Sequence, residues 1–156
     1  MCYNFVMSKA TLKEELKQSM LSRNELKTSV LRLLLSAINY YEIQKGGAGY
    51  EASDEDVLNV IQNQAKQRRD SIEQFTQAGR KELADKEEKE LELLKAYLPE
   101  QMNEEEITKL VKEAIAQTGA ATITDLGKVM GALMPKTKGK ADGGLVSTIV
   151  KKELTS

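Results

Sequence analysis

NELKTSVLRLLLSAINYYEIQKGG, residues 24–47, carries Leu26, Val30, Leu33, Leu34, Ala37, Ile38 and Tyr41 at intervals of three and four. That spacing lays one apolar stripe along a helix. Asn24 supplies an N-cap and the pair Gly46-Gly47 ends the element. A stripe of this length predicts a helix facing a core, and the chain on either side is built from the same kind of segment.

Upstream, Thr11 and Glu14 form a Thr-x-x-Glu pattern that predicts a capping box and a short helix to about Ser22. Downstream, Ser53 and Asp56 form a second such pattern. The helix they open is expected to reach Gly79 with Val57, Leu58, Ile61, Ala65, Ile72 and Phe75 inward. Arg68 falls on that stripe between Ala65 and Ile72. A fourth helix over about 81–98 carries Leu83, Leu91, Leu94 and Leu98 inward, with Glu87 and Glu90 on or beside the same face, and Pro99 stops it.

After a linker at 99–102, Asn103 and Glu106 open a fifth helix with Ile107, Leu110, Val111, Ala114 and Ile115 inward, ending near Gly119. A sixth is expected from Thr124 through Met134. A seventh spans about 143–154, with Leu145, Ile149 and Val150 as its apolar face. The fold class is therefore all-α and multihelical. We expect a larger N-terminal helical domain over residues 1–98, with residues 1–7 outside it, and a small three-helix tail over 99–156. A tail of this size is near the lower limit for an independent core.

Composition agrees. Of 156 residues, 40% are hydrophobic and 30% charged, as in an ordinary globular chain, and two prolines with no tryptophan favour helices over a β sandwich. A net charge of −1 argues against sequence-independent nucleic-acid binding over the whole surface but leaves room for a local basic patch. No apolar run reaches the ~18 residues that would span a membrane, and the opening MCYNFVM is too short for a signal peptide. With Cys2 as its single cysteine, the chain holds no internal disulfide framework, and a cytoplasmic location is expected.

Chemistry is constrained by what is missing. Without histidine, and with one cysteine, the chain can build no Ser-His-Asp triad, Cys-His pair or Cys/His zinc site. Neither a Walker nor a dinucleotide glycine loop is present. The acidic run KELADKEEKELELLK reads as a solvated helix face paired with Lys86, Lys89 and Lys95. No catalytic residue, metal ligand or cofactor is assigned. Arg68 is different: a guanidinium on an apolar stripe needs partners if buried, and Glu87 and Glu90 can meet it. It either fixes helix packing as an ion pair or contacts a ligand.

GKVMGALMPKTKGKADGG, residues 127–144, holds the other candidates. Each of Gly127 and Gly131, one turn apart, costs ~1 kcal/mol relative to alanine in a helix interior. Something close to the backbone should offset that, and close packing of the sixth helix on the seventh is the favoured explanation, with ligand contact as the other. Lys128, Lys136, Lys138 and Lys140 make the tail basic, whereas residues 82–113 are strongly acidic. The lysines lead into Asp142-Gly143-Gly144 at a helix N-terminus, where free N–H groups attract phosphate. They either solvate a loop or meet a polyanion.

Three segments carry a resemblance: LKEELKQSMLSRNELKTSVLRLLLSAI, KQRRDSIEQFTQAGRKELADKEEKELELLKAYLPEQM and DLGKVMGALMPKTKGKADGGLVSTIVKKEL. Together they resemble the YqeY-like proteins of the GatB/YqeY family, over nearly everything from Leu12 to Leu154. The resemblance implies a C-terminal part similar to the tail of the B subunit of tRNA-dependent amidotransferases, which helps hold aminoacyl-tRNA. It suggests a tRNA-facing surface at Lys128, Lys136, Lys138 and Lys140, reading shape and phosphates rather than bases.

The function expected is a tRNA-associated accessory protein. The alternatives are a module that docks on an amidotransferase subunit or other aminoacyl-tRNA machinery, and a component with carbon–nitrogen ligase activity using glutamine as amido-N donor. The family resemblance implies the last, and no residues in this chain are identified to perform it.

Overall fold

A computed structural model describes residues 7–156. Among them are seven α-helices and no strand: α1 (Lys9–Leu21), α2 (Glu25–Gly46), α3 (Asp54–Gln77), α4 (Lys81–Lys95), α5 (Glu104–Thr118), α6 (Leu126–Thr137) and α7 (Gly143–Thr155). The protein is all-α. Short 3-10 turns precede α3 at Gly47–Gly49 and α6 at Ile123–Asp125. By contact the chain divides into one compact unit ending at Pro99 and another beginning at Glu100.

In the N-terminal unit α2 is central and packs on α1, α3 and α4, while α3 and α4 form an antiparallel hairpin. Val30, Leu31, Leu34, Leu35 and Ile38 of α2 meet Leu12, Val57, Ile61, Ala65, Leu91 and Leu94 in one core. The caps explain where the helices start. Asn24 accepts the Lys27 N–H at 3.0 Å, and Ser53 exchanges side-chain and backbone bonds with Asp56 in a capping box. In the C-terminal unit Asn103 and Glu106 do the same, and Ile107, Val111, Val129, Leu133, Val146, Ile149 and Val150 close a second core.

Several expectations are corrected. Helix α1 begins at Lys9 because Ser8, not Thr11, is its cap, accepting the Thr11 N–H at 3.1 Å. Met7, expected outside the domain, is buried in the core; the rest of that expectation, with Cys2, falls outside the described residues. Leu26 and Leu33 of α2 and Leu83 of α4 point outward. In α7 Leu145 is exposed and Val146 takes the inward place.

Helix α4 ends at Lys95, short of Pro99. The N–H groups of Tyr97 and Leu98 tighten onto the carbonyls of Leu94 and Lys95, and a residue before proline disfavours helical backbone. Helix α6 instead continues past Met134 through Pro135, which lies in the last turn where its missing N–H removes a single helical bond, the one to the Gly131 carbonyl.

Candidate nucleic-acid interface

The lysine-bearing turn is held by the backbone around it. Thr137 is buried at the end of α6, its hydroxyl donating to the Leu133 carbonyl at 3.0 Å. Gly139 has φ +79°, a left-handed conformation that a side chain disfavours. The carbonyl of Gly139 accepts from the Gln101 side chain at 3.0 Å, and the Lys140 carbonyl accepts the Met102 N–H at 2.8 Å. The N–H groups of Lys140 and Ala141 both return to the Thr137 carbonyl. Lys138 and Lys140 therefore project from a fixed loop.

The four lysines are exposed but do not share one hollow. Lys136 and Lys140 line a depression with Glu100, Gln101, Met102, Glu106 and Leu110, so two carboxylates stand beside two ammonium groups. One of these, Glu106, is already engaged by the Asn103 N–H. Lys128 lies ~12 Å along α6 from Lys136, with its Nζ 3.5 Å from Asp125. The Ala121 and Thr122 amides hold the Asp125 carboxyl below its usual range, and Lys128 adds a smaller pull. The arrangement presents separated exposed ammonium groups, two of them in a shallow depression and one ion-paired, rather than a single cationic hollow.

Two parts of the expected interface differ. The start of α7 does not offer the free donors anticipated there: Asp142 Oδ1 accepts the N–H groups of Gly144 at 2.7 Å and Leu145 at 3.1 Å. A carboxylate already occupies the place a phosphate would take. Nor do Gly127 and Gly131 bring α6 close to α7. A Cβ built on either glycine meets no described atom within 4 Å, so both lie on an open face, and helix packing does not account for them.

Arg68 belongs to the other unit. It is 91% buried between α3 and α4, and its Nη1 bonds Glu87 Oε2 at 3.0 Å and also Glu90 Oε2. Its Nε is buried without a partner. One guanidinium thus neutralises the buried Glu90 and draws the partly exposed Glu87 to it.

Sequence reasoning missed a second polar cluster. Asp56 accepts the hydroxyls of Tyr50 at 2.6 Å and Tyr41 at 2.7 Å together with both donors of Ser53, and Lys45 lies 3.7 Å away. Hydrogen bonds from Tyr50 and then Tyr41 hold the Asp56 carboxyl far below the ordinary range. Beside it, Glu42 pairs with Lys9 at 2.6 Å and accepts the Ala52 N–H at 2.9 Å. The cluster straps the connection between α2 and α3 to both helices. The only sequence signal was the capping pattern at Ser53; the tyrosines are brought in by folding.

Among known proteins, the family of YqeY-like proteins matches residues 9–154. Altered inheritance of mitochondria protein 41, mitochondrial, of Lachancea thermotolerans is 36% identical over 96 residues, 61% of this chain and 50% of that protein. An uncharacterised protein of Schizosaccharomyces pombe is 37% identical over 91 residues, 58% of this chain and 72% of its own length. The protein of Pyrenophora tritici-repentis that shares the first name is 32% identical over 133 residues, 83% of this chain and 71% of its own. The match spans about half the length of the Lachancea relative. No helix among the described residues is long and apolar enough to cross a membrane.

Proposed function

The chain belongs to the family of YqeY-like proteins, and on that premise we propose that it is a tRNA-associated accessory protein whose C-terminal unit holds RNA through lysine–phosphate contacts. The observation that carries this reading is the pinned turn after α6. A loop fixed by Gln101 and Met102 presents Lys138 and Lys140 without the entropy loss of ordering a free loop on binding.

Lys136 and Lys128 extend the cationic edge back along α6. Contacts to phosphate position a nucleic acid without reading its sequence, which suits a helper that acts on many tRNAs.

The reading assigns no bond-making step to this chain. An amidation of aminoacyl-tRNA would be performed by a separate enzyme to which this protein delivers or steadies the RNA. Its compartment is then one that contains tRNA, either a cytoplasm or, as the names of the fungal relatives suggest, a mitochondrion.

Three or four phosphate contacts give a modest log-log salt slope, about −2 to −4. Fluorescence anisotropy with labelled tRNA across a salt series tests this on the wild type and on Lys136→Glu/Lys138→Glu/Lys140→Glu. The variant is expected to bind at least ~10-fold more weakly at low salt, since each reversal turns an attraction into a repulsion. Equal affinities in proteins of equal helicity would overturn the reading.

A further inference from the structure

The outer face of α2 carries a pattern that the core does not use. Leu26, Ser29, Leu33, Ser36, Tyr40 and Ile43 are all exposed and follow one another at intervals of three, four, three, four and three. This is the heptad spacing of a helix seam, on the side of α2 away from Val30, Leu34 and Ile38. We propose that this face binds a second copy of the chain, with the two α2 helices antiparallel about a twofold axis between Leu33 and Ser36.

Size complementarity fixes the direction. In the antiparallel alignment Leu26 meets the partner's Ile43, Ser29 meets the partner's Tyr40, and Leu33 meets the partner's Ser36. Every serine then lies against a large side chain, as a packed seam requires. A parallel alignment would set tyrosine on tyrosine and serine on serine, leaving two layers underfilled, and would align the helix dipoles. No charge falls within the seam. On its flank Arg32 comes beside the partner's Asn39, an acceptor for the guanidinium, with no like charge opposite.

The area is sufficient for a modest dimer. Leu26, Leu33, Tyr40 and Ile43 are 37%, 51%, 64% and 64% exposed, leaving roughly 450 Å² of largely apolar surface on each copy, the scale at which an exposed patch marks a contact site. Pairing covers about 900 Å² from these positions alone. The serines, Arg32 and Asn39 bring the total to about 1,200 Å², the lower end of specific interfaces. The association is therefore reversible and concentration-dependent.

Sedimentation velocity on the full chain over a concentration series is expected to show a monomer–dimer equilibrium. Leu33→Glu/Tyr40→Glu, with both changes at exposed positions, is expected to raise the dimer dissociation constant at least ~10-fold with unchanged helicity. Direction is tested by oxidative crosslinking of single-cysteine variants in a Cys2→Ser background. Across the proposed axis two copies of Ser36→Cys lie within ~5 Å of each other along the helices, and two copies of Ile43→Cys ~26 Å apart. Crosslinking at position 36 and not at 43 supports the proposal. A chain that stays monomeric, a dimer indifferent to Leu33→Glu/Tyr40→Glu, or crosslinking at both positions would overturn it.

Discussion

Asp56 shows how much of this fold depends on single side chains whose full role no pattern announces: the sequence marks it as a capping residue, and folding adds two tyrosines. Its carboxylate accepts two tyrosine hydroxyls, the Ser53 hydroxyl and the Ser53 N–H, so replacing one oxygen with an amide nitrogen turns an acceptor into a donor facing donors. Asp56→Asn is expected to destabilise the N-terminal unit by about 1–2 kcal/mol at neutral pH, the cost of setting an amide donor against part-buried hydroxyl donors. The pH dependence follows from the depressed carboxyl. The folded group titrates below its unfolded value of ~3.9, so its contribution is fully present above that value and is lost as pH falls toward the folded one. Asparagine does not titrate. Urea unfolding between pH 3 and pH 7 should therefore show the gap between wild type and variant narrowing in acid. Glu15 and Glu42 are also held low, the first chiefly by Lys27 and the second by Lys9, but they remain in both proteins and cancel in the difference. A gap that is as wide at pH 3 as at pH 7 would mean that the charge on Asp56 is not what the tyrosines stabilise.

At the scale of the helix, α6 raises the sharpest contrast between sequence and structure. Gly127 and Gly131 sit inside a helix with open space where their side chains would be, so they weaken α6 and are not compensated by packing among the described residues. Gly127→Ala and Gly131→Ala are each expected to stabilise the C-terminal unit by about 0.5–1 kcal/mol. Chemical denaturation followed by far-UV circular dichroism would show it, and a loss of stability would reveal packing on that face. The spacing of the glycines was legible; what lies above them was not, because periodicity places a residue on a face without saying what covers it. The same holds for α2, where the apolar residues nearly encircle the helix. Leu26 and Leu33 fit an inward stripe by spacing, yet Val30, Leu31, Leu34, Leu35 and Ile38 already fill the core side. Caps were read better, because they are local: Asn24, Ser53 and Asn103 each bond an N–H three residues on. Ser8 was missed since Thr11 offered an equally good local pattern one turn later. Lys136, Lys138 and Lys140 were visible as charge, whereas the Gln101 and Met102 bonds that fix their loop come from residues almost forty positions away.

For the whole molecule, the feature with the widest consequences is that each unit closes a core of its own. Leu12, Leu34, Ile61 and Leu94 belong to one, and Ile107, Leu133 and Ile149 to the other. Two cores permit two cooperative transitions, and a single melting temperature would then misdescribe the chain. Variants confined to one unit separate them. Arg68→Met removes the guanidinium and leaves the buried Glu90 carboxylate unpaired beside the partly exposed Glu87, at a cost of about 2–4 kcal/mol. Gly131→Ala acts in the opposite direction on the other unit, through helix propensity on an open face. Differential scanning calorimetry is expected to resolve two transitions, with Arg68→Met lowering one and Gly131→Ala raising the other. The C-terminal transition is the weaker candidate for high stability, because fewer than ~60 residues bury proportionally less surface than a full-sized domain. A single transition that Arg68→Met lowers would mean instead that the units unfold as one, so that the order of the lysine-bearing turn depends on the N-terminal core as well as on Gln101 and Met102.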